Sequence, residues 1–111
     1  MGRTTKSDLL QGTLDLLILK TVALSPNHGW GIWQRIRQMS HERLNASHGS
    51  LYPALHRLEV RGDLRSEMTP SENNRRARVY TITAAGRRRL ADERKSWEQF
   101  ASSIRLVLDA E

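Results

Sequence analysis

The sequence predicts a mainly α fold with a small β-hairpin, ending in one long C-terminal helix. Three observations carry that prediction. Apolar residues recur at helical spacing along four separate stretches, two short alternating runs lie between the third and the fourth, and turn residues divide the segments. A chain of 111 residues suits one domain with a modest core. The apolar fraction of 38% is low, so burial must be efficient or shared with a second subunit.

Taken in order, Ser7 or Asp8 is expected to cap a helix reaching about Leu24. Leu10, Leu14, Leu17, Thr21 and Leu24 form one stripe on it. Leu9, Leu16, Leu19 and Ala23 form another, so two sides call for burial. Ser25-Pro26-Asn27-His28-Gly29 reads as a turn. A second helix follows over Trp30–Ser40, with Ile32, Trp33, Ile36 and Met39 inward, and residues 41–46 form a linker. Ser47 caps a third helix with Leu51, Ala54, Leu55 and Leu58 on its inner side. Pro53 lies beyond its first turn and is expected to loosen the start. Gly62 closes that helix.

Extended runs at Leu64–Met68 and Ala77–Thr83 flank a polar hairpin tip, with Tyr80 and Ile82 inward. Thr83 caps the last helix, which runs to about Ala110 and is roughly 40 Å long. Leu90, Trp97 and Ile104 repeat every seven residues, as do Glu93, Phe100 and Val107, and Leu108 widens the stripe. Glu93 interrupts the seam, so pairing with another helix is expected in the C-terminal half. Three helices, a hairpin and a long helix make the arrangement of a winged helix-turn-helix (residues 1–83) plus a dimerisation helix (residues 84–111).

Charge narrows the classes of partner. Lys plus Arg outnumber Asp plus Glu by 18 to 12, giving a net charge of +6. A basic surplus on a small domain points first to a polyanion such as nucleic acid, although solubility alone also accounts for it. The absence of cysteine excludes disulfides and thiol chemistry. No apolar run is long enough to span a bilayer, and the start lacks the pattern of a secretory signal, so no membrane partner and a cytoplasmic location are expected. The histidines His28, His41, His48 and His56 lack metal-ligand spacing. No nucleophile motif, phosphate loop or carboxylate pair suggests an enzyme. Neither a cofactor nor a metal is expected.

Four stretches carry a family resemblance: LLQGTLDLLILKTVAL at 9–24, HGWGIWQRI at 28–36, GSLYPALHRLEVRGDL at 49–64 and RARVYTITAAGRRRL at 76–90. In combination and order they resemble the PadR family of transcriptional regulators, in its small form with one helix after the wing. The resemblance implies a homodimer built through the first and last helices, and a repressor binding an inverted-repeat DNA operator. Trp30 replaces the tyrosine or phenylalanine common after the His-Gly pair, and Trp33 is bulky for its position.

The candidate sites follow. In the third helix Ser47, His48, Ser50, Pro53, His56 and Arg57 are placed for base contact, with Tyr52 near a phosphate; a solvated helix face would show the same pattern. Arg57 has the geometry to bond guanine. Arg75, Arg76 and Arg78 surround the hairpin tip, as minor-groove or phosphate contacts or as solvated charge. Arg87, Arg88 and Arg89 oppose the dipole of the last helix, which invites a phosphate contact. Leu90, Trp97, Phe100, Ile104, Val107 and Leu108 are the expected dimer interface. Trp97 either packs there or lines a pocket for a small hydrophobic effector, as the resemblance implies for some small members. Trp30 and Trp33 read as core. The readings from other classes are a protein-interaction module and a nonspecific architectural DNA binder.

Overall fold

A computed structural model describes residues 6–70 and 76–111, with side chains from Gly12 onward. The order is α1 (Lys6–Leu24), β1 (Asn27–His28), α2 (Gly29–Met39), α3 (His48–Val60), β2 (Leu64–Pro70), β3 (Arg76–Ile82) and α4 (Ala84–Leu108). Mostly helical, with a small antiparallel sheet and a long last helix, it is the predicted winged-helix arrangement.

α1 already includes Ser7 and Asp8, so neither caps it. Its core-facing residues are Leu14, Ile18, Leu19 and Val22, all at most 3% exposed. The Thr21 hydroxyl is buried beside them and donates to the Leu17 carbonyl at 2.7 Å, so its polarity is satisfied. Leu16 and Leu17 are half-buried on a second side. Leu24, at the helix end, is exposed.

α2 contributes Ile32 and Ile36 to the core, and α3 contributes Leu51, Ala54, Leu55 and Leu58. Met39 is exposed in the last turn of α2, beyond the part of that helix which the core covers. α3 runs unbroken through Pro53. Proline there withholds one N–H, from the Gly49 carbonyl, and the buried leucine stripe holds the helix together across that gap. Gly62 ends α3 in the left-handed region, φ 85°. Its N–H donates to the Glu59 carbonyl at 3.0 Å, and the Asp63 N–H to Leu58 at 2.9 Å, the paired bonds of a Schellman stop.

The sheet order is β1-β3-β2, all antiparallel. β2 and β3 form the predicted hairpin, with Leu64 opposite Ile82 and Ser66 opposite Tyr80. Tyr80 and Ile82 face inward as expected, each 7% exposed. β1 replaces part of the predicted turn: Asn27 pairs with Tyr80 and His28 with Val79. Two residues carry no periodicity to read, and β1 exists only because β3 offers an edge.

α4 is capped by Thr83, whose hydroxyl accepts from the Gly86 N–H at 3.0 Å. Its base is locked onto the end of α3. The Thr83 hydroxyl donates to the Gly62 carbonyl at 2.6 Å, and Gly86 packs so closely on the Asp63 carbonyl that a side chain would collide with it. Beyond the base the helix leaves the core, and Gly86 is its sole buried residue.

Candidate nucleic-acid interface

Ser47 fixes where α3 begins. Its side-chain oxygen accepts from the Ser50 N–H at 3.2 Å and lies 3.0 Å from the Ser50 hydroxyl. An aromatic collar from α2 then sets the height of this helix end. The Trp33 indole donates to the Ala46 carbonyl at 2.8 Å, tying α2 to the residue just before the cap. Trp33 stacks on Trp30 at 4.8 Å and meets the His48 ring edge-on at 4.9 Å. The Arg37 guanidinium lies 4.7 Å from the Trp33 ring, held there by a cation–π contact. Tyr52 lies over Gly29, where an added Cβ would come within 2.7 Å of its ring. Of the two tryptophans expected in the core, Trp33 packs against its edge while Trp30 lies outside it, and both sit beside the start of α3. Trp30 is 46% exposed and Trp33 half-buried.

With the leucine stripe inward, α3 turns His48, Gly49, Tyr52, Pro53, His56 and Val60 to the outside, with Ser50 at the margin. Arg57 does not join them. Its guanidinium bonds Asp15 of α1 at 2.7 Å, and Arg61 lies 3.6 Å from the other oxygen of the same carboxylate. Asp15 is largely buried, so Arg57 serves as a clamp between α1 and α3. The partner stands 42 positions away, and no local pattern announces it.

The wing lies alongside. Side chains alternate across a strand, so Met68, Arg76 and Arg78 share the face of the hairpin that carries the buried Leu64, Tyr80 and Ile82. Arg78 donates to the Ser66 hydroxyl at 2.9 Å, and Ser66 donates to Glu59 of α3 at 2.5 Å. This chain joins wing and α3 at the edge of the exposed helix face. Arg76 is exposed further along the hairpin, and Arg75 falls outside the described residues. Tyr80 lies beneath; burial, then the nearby Glu59 carboxylate, push its phenol above 10.0, so it stays neutral at ordinary pH. Sequence reasoning did not single out Asp15, Ser66 or Glu59.

At the α4 base, the exposed Arg89 pairs with the buried Asp63, 2.8 Å away. The angle is poor for a hydrogen bond, leaving an ion pair held by charge. Arg87 and Arg88 are exposed. Further out, Trp97, Phe100, Ile104, Val107 and Leu108 form an exposed apolar stripe, while Leu90 is half-buried near the base. A groove of about 510 Å³ opens between α1 and α4, walled by Leu16, Leu17, Leu44, Leu90 and Trp97 and rimmed by Lys20, Arg94 and Glu98. Among the described residues no helix is long and apolar enough to cross a membrane.

Comparison with known proteins agrees with this geometry. Residues 18–92 match the model of the "Transcriptional regulator PadR-like family". The chain is 38% identical over 89 residues to the transcriptional regulator Rv3488 of Mycobacterium tuberculosis, covering 80% of this chain and 79% of that one. A transcriptional regulator from Clostridium thermocellum superposes with a TM-score of 0.82 at 28% identity, over 88% of this chain and 95% of the other. A PadR-like transcription factor from Bacteroides fragilis gives 0.75 at 25% identity, over 92% and 96%. The chain belongs to the PadR-like family of transcriptional regulators.

Proposed function

We propose that the chain is a homodimeric repressor that binds an inverted-repeat operator, with the exposed face of α3 in the major groove and the wing on the adjacent backbone or minor groove. The observation that carries this reading is the junction of the two elements. The Arg78–Ser66–Glu59 chain aligns the exposed face of α3 with Arg76 and Arg78, so one duplex can meet both. His48, Ser50, Tyr52, Pro53 and His56 supply the helix contacts, with Ser47 setting their register. Arg57 is left out of base contact because of Asp15.

The second copy of the chain covers the α4 stripe. An interior would not leave Phe100 64% and Val107 75% exposed, and such a contiguous apolar surface marks an interaction site. With two heads joined this way, half-sites fall about 34 Å apart, or a multiple of that. A small hydrophobic effector enters the groove beside Trp97, shifts α4 against α1 and releases the DNA. Aromatic and leucine walls with a few charged rim groups suit such a ligand.

The test is fluorescence anisotropy against DNA from upstream of the chain's own gene, with random duplex of equal length as control, from low to moderate salt. Preference for the upstream DNA that survives moderate salt supports the reading. Arg76→Ala is expected to weaken all sequences alike and to flatten the log–log salt slope by about one. Equal, steeply salt-dependent binding to both duplexes would point to an architectural binder. Dimerisation without DNA affinity would point to a docking module.

A further inference from the structure

We infer that α3 reads thymine C5-methyl groups through Pro53 rather than guanine through arginine, so that each half-site is specified mainly by apolar contact. The inference rests on the operator-binding reading above and names what that reading leaves open: the chemistry by which bases are distinguished.

The argument begins with what the exposed face lacks. The commonest base-specific contacts use the paired donors of arginine or lysine on guanine, or the amide of asparagine or glutamine on adenine. α3 has no lysine, asparagine or glutamine; its charged side chains beyond the histidines are Arg57 and Glu59. Arg57 is held by Asp15, and Glu59 accepts from Ser66. Ser47 and Ser50 are turned to each other at the cap, and the His48 ring packs against Trp33. Tyr52 is also exposed but leans over Gly29 of α2, which leaves the middle of the face to Gly49, Pro53 and His56, spaced so that they follow one another along the outside.

Two of these three are poor choices for a helix. Proline in a helix interior forfeits a hydrogen bond, and glycine carries the entropic penalty of a free backbone. The fold explains neither. Pro53 is exposed, so it fills no core space. A Cβ on Gly49 would meet nothing nearer than the Ser47 hydroxyl at 3.8 Å, and the residue is not in a left-handed conformation. A surface with no side chain at one position and a rigid apolar ring one turn later suits close approach to something flat and apolar. In the major groove that feature is the thymine methyl. His56, one turn further, supplies a single hydrogen-bonding group, and the wing arginines supply affinity without sequence information.

The test is selection from a random duplex library by the full-length chain, followed by resynthesis of the winners with deoxyuridine in place of thymidine. A fixed thymine in each half-site is expected. Losing one buried methyl costs about fourfold in affinity, so changing both half-sites weakens binding roughly fifteenfold. Pro53→Ala, which favours the helix and therefore keeps the fold while removing most of the apolar ring, is expected to narrow the gap between thymine and uracil duplexes severalfold. Circular dichroism checks its helicity. Indifference of the parent to uracil would overturn the inference. So would a half-site fixed by guanine whose preference vanishes in Arg57→Gln. If no sequence is enriched at all, the operator-binding reading itself falls, and the inference with it.

Discussion

The head of the molecule and α4 are both built from amphipathic helices, yet they treat their apolar side chains in opposite ways. In the head, Ile18, Leu19, Ile32, Leu51, Leu55 and Leu58 are fully buried against one another. On α4, Trp97, Phe100, Ile104, Val107 and Leu108 lie open along a helix that buries only Gly86. The head places most of its apolar side chains against one another, with Leu24, Trp30, Met39 and Val60 left exposed; α4 has an apolar stripe that none of the described residues covers. Amphipathicity alone therefore does not mark a core. What matters is whether the same chain supplies the opposing face, and here it stops doing so a few turns past the wing.

The largest effect that separates the two regions is expected in the head. Leu55→Ala removes a fully buried side chain and is expected to cost about 3 kcal/mol of folding stability, read by thermal or urea unfolding at any protein concentration. Ile104→Glu should leave monomer folding nearly unchanged, convert dimer to monomer in sedimentation, and abolish the concentration dependence of Tm. If Ile104→Glu unfolds the monomer as strongly as Leu55→Ala does, the contrast is wrong. Asp15→Asn sharpens it within the head: loss of the clamp to Arg57 and Arg61 is expected to cost about 1–2 kcal/mol, with the dimer intact. The smallest effect has the opposite sign. Gly49→Ala has room for its methyl and is expected to gain up to about 1 kcal/mol in stability while losing DNA affinity, which separates folding from docking at one position.

Much of the architecture was legible because local chemistry announces it. Ser47 and Thr83 cap where their side chains suggest, Gly62 stops α3 in a left-handed conformation that glycine adopts without steric cost, and Tyr80 and Ile82 alternate inward. What was hidden depends on partners far away in sequence. β1 exists through its pairing with β3, some fifty residues on, roughly the reach that no window of local pattern covers. Arg57 lies near the outward side of its helix and reads as a base contact, and nothing in its own stretch announces the ion pair with Asp15 that holds its guanidinium. Trp30 and Trp33 suggest a core by their size; Trp33 does pack against it, but both rings also form the collar on which the start of α3 rests, because His48 comes to meet them. Pro53 was expected to loosen a helix that the buried leucines keep whole.

The seating of α4 has a mechanical consequence. Its 25 residues make a rod about 37 Å long, clamped at one end by Thr83, Gly86 and the Arg89–Asp63 pair. A tilt of about 5° at that clamp sweeps the far end through about 3 Å, the rise of two helical residues. The clamp also grips the residues that end α3, so a tilt there changes the angle between the rod and α3. If two copies join through their rods, as proposed above, leverage at that joint would change the span between the two α3 helices with no need for either head to change its internal packing.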